Sequence, residues 1–135
     1  MSIPIDQYLH QEVKDYIRDK YGSKKKVISY FRKGSRQTSR YIQVSSYLKD
    51  SDIHYEYYNG EVQLHFEGKY AEDCFKNFKD FLVECTSDKP YLKWKRWQGR
   101  NKGTCVLARN ISSIDDLFQA FSDMINIFDH PIEEY

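Results

Sequence analysis

Ile53-His-Tyr-Glu-Tyr-Tyr-Asn-Gly-Glu-Val-Gln-Leu-His-Phe66 is the stretch whose reading decides the fold of this chain. Asn59-Gly60 is a favoured pair for a type I′ turn, because both central positions need positive φ. A two-residue loop then sets the register: Tyr58 opposite Glu61, Tyr57 opposite Val62, Tyr55 opposite Leu64, and Ile53 opposite Phe66. One face of the resulting hairpin is Ile53, Tyr55, Tyr57, Val62, Leu64 and Phe66. The other is Asp52, His54, Glu56, Tyr58, Glu61, Gln63, His65 and Glu67. Both runs sort cleanly under one turn, so local chemistry and face patterning agree. The apolar face calls for a layer of helices above it.

Working outward from the hairpin, the upstream chain supplies a helix over 4–21. Ile5, Leu9, Val13, Tyr16, Ile17 and Tyr21 recur at helical spacing, with Pro4 in the first turn and Gly22 just past the end. Short strands are expected at 27–31 and 41–48, the second with Ile42, Val44 and Leu48 on one side. Downstream, Cys74, Phe75, Phe78, Phe81, Leu82 and Cys85 mark a helix over 70–86. A basic strand over 91–97 and a strand over 104–109 form a second hairpin around a Gly-flanked loop. The last helix opens on the cap Ser113-x-x-Asp116 and turns Ile114, Leu117, Phe118, Phe121, Ile125 and Phe128 inward, and the tail from His130 is expected to fray. The order α-β-β-β-β-α-β-β-α gives an α+β fold, one antiparallel sheet of five to six strands with two to three helices on one face. The 135 residues are expected to form a single domain.

Charge is sorted along the chain. Residues 23–49 hold eight Lys/Arg and no acid, residues 89–110 hold seven and no acid, and the remainder is strongly acidic although the total is +1. Basic surfaces attract polyanions, nucleic acid above all. In the strand over 91–97, alternation places Tyr91, Lys93, Lys95 and Trp97 on one face, mixing cations for phosphates with rings for stacking. Arg96, Arg100 and Lys102 extend that surface. Lys24, Lys25, Lys26, Arg32, Arg36 and Arg40 form the second candidate contact. No apolar run is long enough to span a bilayer. The first eight residues lack a basic region followed by an apolar stretch, and three widely spaced Cys read as reduced thiols, Cys74 and Cys85 in the core; a cytoplasmic location is expected.

Three further patterns bear on chemistry. His54 and His65 oppose each other in the expected register, with Glu56, Asp52 and Glu67 near neighbours on the same face; the two His with a carboxylate such as Glu56 could hold a divalent metal or serve acid–base chemistry. The ordinary alternative is a solvated polar face. Asp52 facing Glu67, with Lys69 two residues on and helices either side, resembles the metal-binding carboxylates and lysine of PD-(D/E)XK nucleases. That resemblance implies Mg²⁺-dependent cleavage, although Gly68 stands where that family usually has an apolar residue. The strings Ile53-His-Tyr-Glu-Tyr and Leu64-His-Phe-Glu67, with the Phe-rich last helix, are similar to uncharacterised small prokaryotic α+β domains found beside such nuclease-like modules. That likeness implies a prokaryotic or phage setting, in genome defence or its antagonism, and assigns no site. Phosphate-loop, dinucleotide and nucleophile-elbow signatures do not occur.

The sequence therefore leads to a non-catalytic, cofactor-free binding protein whose basic, aromatic-bearing strands contact nucleic acid or an acidic protein surface. An inhibitor or immunity protein docking on a partner protein is the alternative, and the metal-dependent nuclease is the third.

Overall fold

A computed structural model describes residues 3–29, 41–45, 53–67, 76, 80–95 and 103–134. Six strands form one antiparallel sheet: β1 (Val27–Ser29), β2 (Tyr41–Ser45), β3 (Ile53–Tyr58), β4 (Glu61–Phe66), β5 (Leu92–Lys95) and β6 (Gly103–Leu107). Their spatial order is β1-β2-β3-β4-β6-β5. The helices are α1 (Gln7–Tyr21), α2, of which residues 80–85 are described, and α3 (Ile114–Glu134). The expected α+β class and element order hold.

The central hairpin forms in the register its turn dictates, with His54 opposite His65 and Tyr55 opposite Leu64. Asn59 and Gly60 both carry positive φ, 53° and 79°, as a type I′ turn requires. Ile53, Tyr55, Tyr57, Val62, Leu64 and Phe66 are all buried in the core. They meet Val13 and Ile17 of α1 and Leu117, Phe121, Phe128 and Ile132 of α3 in one cluster. Truncating a residue such as Phe128 in this layer would cost about 3–5 kcal/mol.

Two helix ends differ from the sequence reading. Asp6, not Pro4, starts α1: its carboxylate accepts the Leu9 N–H at 2.8 Å, a stronger local stop than proline supplies. At the other end, α3 continues past His130 through Pro131 to Glu134, because Ile132 is buried and anchors the last turn. In the α2 stretch the apolar stripe is only partly used. Leu82 is buried, but Phe81 is 41% exposed and Cys85 is also exposed, so Cys85 is not a core thiol. Cys74 lies outside the described residues. Cys105 is in the core, where burial pushes its thiol up to about 12, far from reactive range.

The second hairpin docks through β6, not β5. Leu107 pairs with Val62 and Cys105 with Leu64, while β5 lies outside as an edge strand. Residues Thr104 to Leu107 are buried on both sides, as a central strand must be, whereas Lys93 and Lys95 point into solvent. Leu92 and Trp94 take the inner side. Trp94 meets Phe128 edge-on at 5.9 Å and donates its indole N–H to Thr86 Oγ1 at 3.3 Å.

Candidate metal centre

The second face of the sheet is polar in composition yet closed to water at its middle. His54 is 1% exposed, Glu56 6%, Gln63 3% and His65 5%. A solvated polar face was the ordinary expectation for these residues; burial overturns it and raises the question of what satisfies them.

The register assembles the site. His54 and His65 are directly opposed, and each lies two residues before a glutamate, Glu56 within β3 and Glu67 immediately after β4. Because the strands run in opposite directions, Glu56 and Glu67 fall on opposite sides of the histidine pair. The two H-x-E units thereby close into an alternating square. His54 Nε2 lies 3.4 Å from Glu56 Oε1 and 3.2 Å from Glu67 Oε2. His65 Nδ1 lies 3.7 Å from Glu56 Oε2 and 3.5 Å from Glu67 Oε1. One donor atom from each of the four residues falls within 4.8 Å of the other three.

These contacts do not satisfy the imidazoles. Among the described residues, both nitrogens of His54 and Nδ1 of His65 have no hydrogen-bond partner. Leaving such a buried atom unpaired costs about 1–3 kcal/mol. The spacing does fit a shared ion. Ligands about 2.0–2.2 Å from a tetrahedral zinc stand about 3.4 Å from one another. The N···O separations of 3.2 to 3.7 Å, each histidine meeting a different oxygen of each carboxylate, lie near that edge, and one donor atom per residue fits within 4.8 Å. The two carboxylates, Glu56 buried and Glu67 part-exposed, also present two negative charges, which a divalent cation neutralises.

A surrounding layer orients the donors. His65 Nε2 donates to Gln63 Oε1 at 2.6 Å, which fixes the ring so that Nδ1 faces the carboxylates. The Gln63 amide is itself held, its Nε2 donating to Glu61 Oε1 at 3.1 Å. From β2, Gln43 Nε2 donates to Glu56 Oε1 at 3.0 Å. Such partners on the far side of ligating groups are the usual companions of metal-binding histidines. Glu67 is the most accessible member, its side chain 28% exposed, and marks the side from which an ion would enter.

The other candidate residues are distributed differently. Lys93, Lys95 and Tyr91 are exposed at the β5 edge as expected. Lys24 and Lys26 are exposed, but Lys25 is not a surface cation: its ammonium is buried in an ion pair with Asp129 and donates to the Ser45 carbonyl at 3.3 Å. Arg32, Arg36, Arg40, Arg96, Trp97, Arg100 and Lys102 lie outside the described residues. So do Asp52 and Lys69, two of the three residues of the nuclease reading; the third, Glu67, is engaged with the histidines. Sequence reasoning placed Glu56 and Glu67 on the same face as the His pair, but took only Glu56 into the candidate metal set and gave Glu67 to the nuclease reading. The signal that joins them was present as the repeated H-x-E on two strands of fixed register.

Comparison with family models, with curated proteins and with solved structures returns no match. The centre stands on its own geometry.

Proposed function

We propose that this protein binds a divalent transition metal through His54, Glu56, His65 and Glu67. The observation that carries the reading is the set of buried, unpartnered imidazole nitrogens facing two carboxylates at ligand-to-ligand spacing. Two imidazoles and two carboxylates form a borderline donor set that suits Zn²⁺ and its neighbours over Mg²⁺ or Ca²⁺. Four protein donors, three of them out of water, favour a holding site that ties β3 to β4 over an open hydrolytic one.

The test is metal analysis of protein exchanged against Zn²⁺, followed by Co²⁺ substitution. One ion per chain and the intense visible bands of a tetrahedral Co²⁺ site are expected. His54→Ala and Glu67→Gln should each weaken affinity at least 100-fold while circular dichroism stays unchanged. Less than a tenth of an ion per chain at saturating Zn²⁺ overturns the reading.

A second reading, contact with nucleic acid, is favoured by one observation: Lys93 and Lys95 stand side by side on the outer face of the β5 edge, exposed and paired with no carboxylate among the described residues. Binding to single-stranded RNA or DNA that falls steeply with salt, and that weakens in Lys93→Ala/Lys95→Ala, is its expected outcome. Absence of binding at low salt removes it and leaves a protein partner as the target of that edge.

A further inference from the structure

One buried atom beside the metal centre is left over. His54 presents Nε2 to both glutamates, so Nε2 is the atom an ion would take. His65 presents Nδ1 in the same way, and its other nitrogen is held by Gln63. The other nitrogen of His54, Nδ1, is shut from water and has no hydrogen-bond partner among the described residues. A neutral imidazole that gives one nitrogen to a metal carries its proton on the second. On a side chain as buried as His54, that N–H needs an acceptor.

The register of the sheet offers one. Ser45 of β2 stands directly opposite His54 of β3. Side chains alternate along a strand, so Ser45 and Gln43 share the face occupied by His54 and Glu56. The neighbouring pair on that face already meets, with Gln43 Nε2 donating to Glu56 Oε1 at 3.0 Å. Opposed residues on one face lie about 4.5–5.5 Å apart at Cβ, within reach of a hydroxyl and an imidazole edge. Ser45 is buried, and its Oγ accepts the Lys26 N–H at 2.9 Å. A hydroxyl oxygen has two lone pairs, so it can accept a second N–H.

We propose that Ser45 is a positioning residue of the metal centre: with an ion on His54 Nε2, the His54 Nδ1–H donates to Ser45 Oγ. This inference rests on the metal reading and supplies the outer partner that His54 lacks. Gln63 from β4 and Ser45 from β2 then fix one imidazole each. Ser45 also ties the centre to the rest of the fold, because its carbonyl accepts from the Lys25 ammonium at 3.3 Å and Lys25 pairs with Asp129 of α3. An ion that adds a bond to Ser45 therefore tightens the seam where the link after α1 enters the sheet.

Nitrogen-15 NMR of the histidines, with and without Zn²⁺, tests it on the full chain. In the loaded parent, His54 is expected to carry its proton on Nδ1, exchanging slowly enough to be seen in water. Ser45→Ala should lose that signal to faster exchange and bind Zn²⁺ about 10- to 100-fold more weakly, the usual cost of removing such a partner. Ser45→Thr, which restores the hydroxyl, should recover most of that loss. Affinity compares loaded with empty protein, so a general loss of stability in Ser45→Ala does not by itself move it; circular dichroism of the empty variants verifies that each is folded. A loaded parent with the His54 proton on Nε2 overturns the inference. So does a Ser45→Ala variant that binds Zn²⁺ as the parent does, and in that case the metal reading stands and only the role of Ser45 falls. A parent that takes up no Zn²⁺ removes the metal reading and this inference together.

Discussion

Tyr55 shows how one residue ties the two sides of this sheet together. Its ring fills the core side of β3, and its hydroxyl donates to Asp129 Oδ1 of α3 at 2.5 Å. Asp129 also receives the buried Lys25 ammonium, so groups from β3, α3 and the link between α1 and β1 satisfy one another away from water. On the same strand, His54 and Glu56 point to the other side. Burial first, and the Asp129 carboxylate second, hold the Tyr55 hydroxyl well above its ordinary value of 10.0. The folded state therefore favours the neutral phenol more than the unfolded chain does. The stability this gives is complete below about pH 10 and is lost as pH rises beyond it. Tyr55→Phe removes the titration and the hydrogen bond together. We expect the variant to be less stable than the parent at pH 7 but to lose less stability between pH 9 and 11, measured by urea unfolding across that range. A parallel decline in both proteins would show that Tyr55 does not govern the alkaline limb.

At the scale of elements, the β3–β4 hairpin brings together the four donors of the proposed metal centre, and its turn is the point of control. Gly60 sits at φ 79°, where a Cβ is strained. Gly60→Ala should cost about 1–2 kcal/mol and also weaken Zn²⁺, because a loosened turn relaxes the register that opposes His54 to His65. Gly22→Ala is the control: φ is equally positive, and nothing lies within 4 Å of the added carbon, so stability should fall while Zn²⁺ affinity holds. Calorimetric Zn²⁺ titration of both variants separates the two effects. The hairpin was legible because Asn59-Gly60 fixes register without help from the rest of the chain. The last helix was legible because Ser113 and Asp116 cap it, the Asp116 N–H meeting Ser113 Oγ at 3.1 Å. What local pattern did not reveal was tertiary. Alternation identifies His54, Glu56 and His65 as a polar face but is silent on whether that face meets water. The placement of β6 beside β4 was likewise a choice between two docking modes; the matching apolar residues of β6 and the lysines of β5 decide it. Phe81 and Cys85 had the right spacing for a buried stripe, and only packing shows that, of the three described stripe residues, Leu82 takes the core position.

Over the whole molecule, exposed lysines stand at both margins of an open sheet, Lys93 and Lys95 on β5 and Lys24 and Lys26 just before β1, while the H-x-E square occupies the middle. No described helix is long and apolar enough to cross a membrane. The lysine-bearing β5 margin repels a second sheet, which guards an exposed ladder against edge-to-edge growth. One consequence of the central square concerns time. All four donors lie within residues 54–67, so an ion that gathers them closes only a very short loop, and short loops close at little entropic cost. The ion can thus clasp the hairpin before α1 or α3 has found its place, whereas the helix contacts to the sheet must wait for distant parts of the chain. Stopped-flow refolding should accordingly be faster with Zn²⁺ than with chelator, and the gain should vanish in His54→Ala. The ion would then act as an early folding nucleus, leaving the remaining strands and helices a finished template on which to assemble.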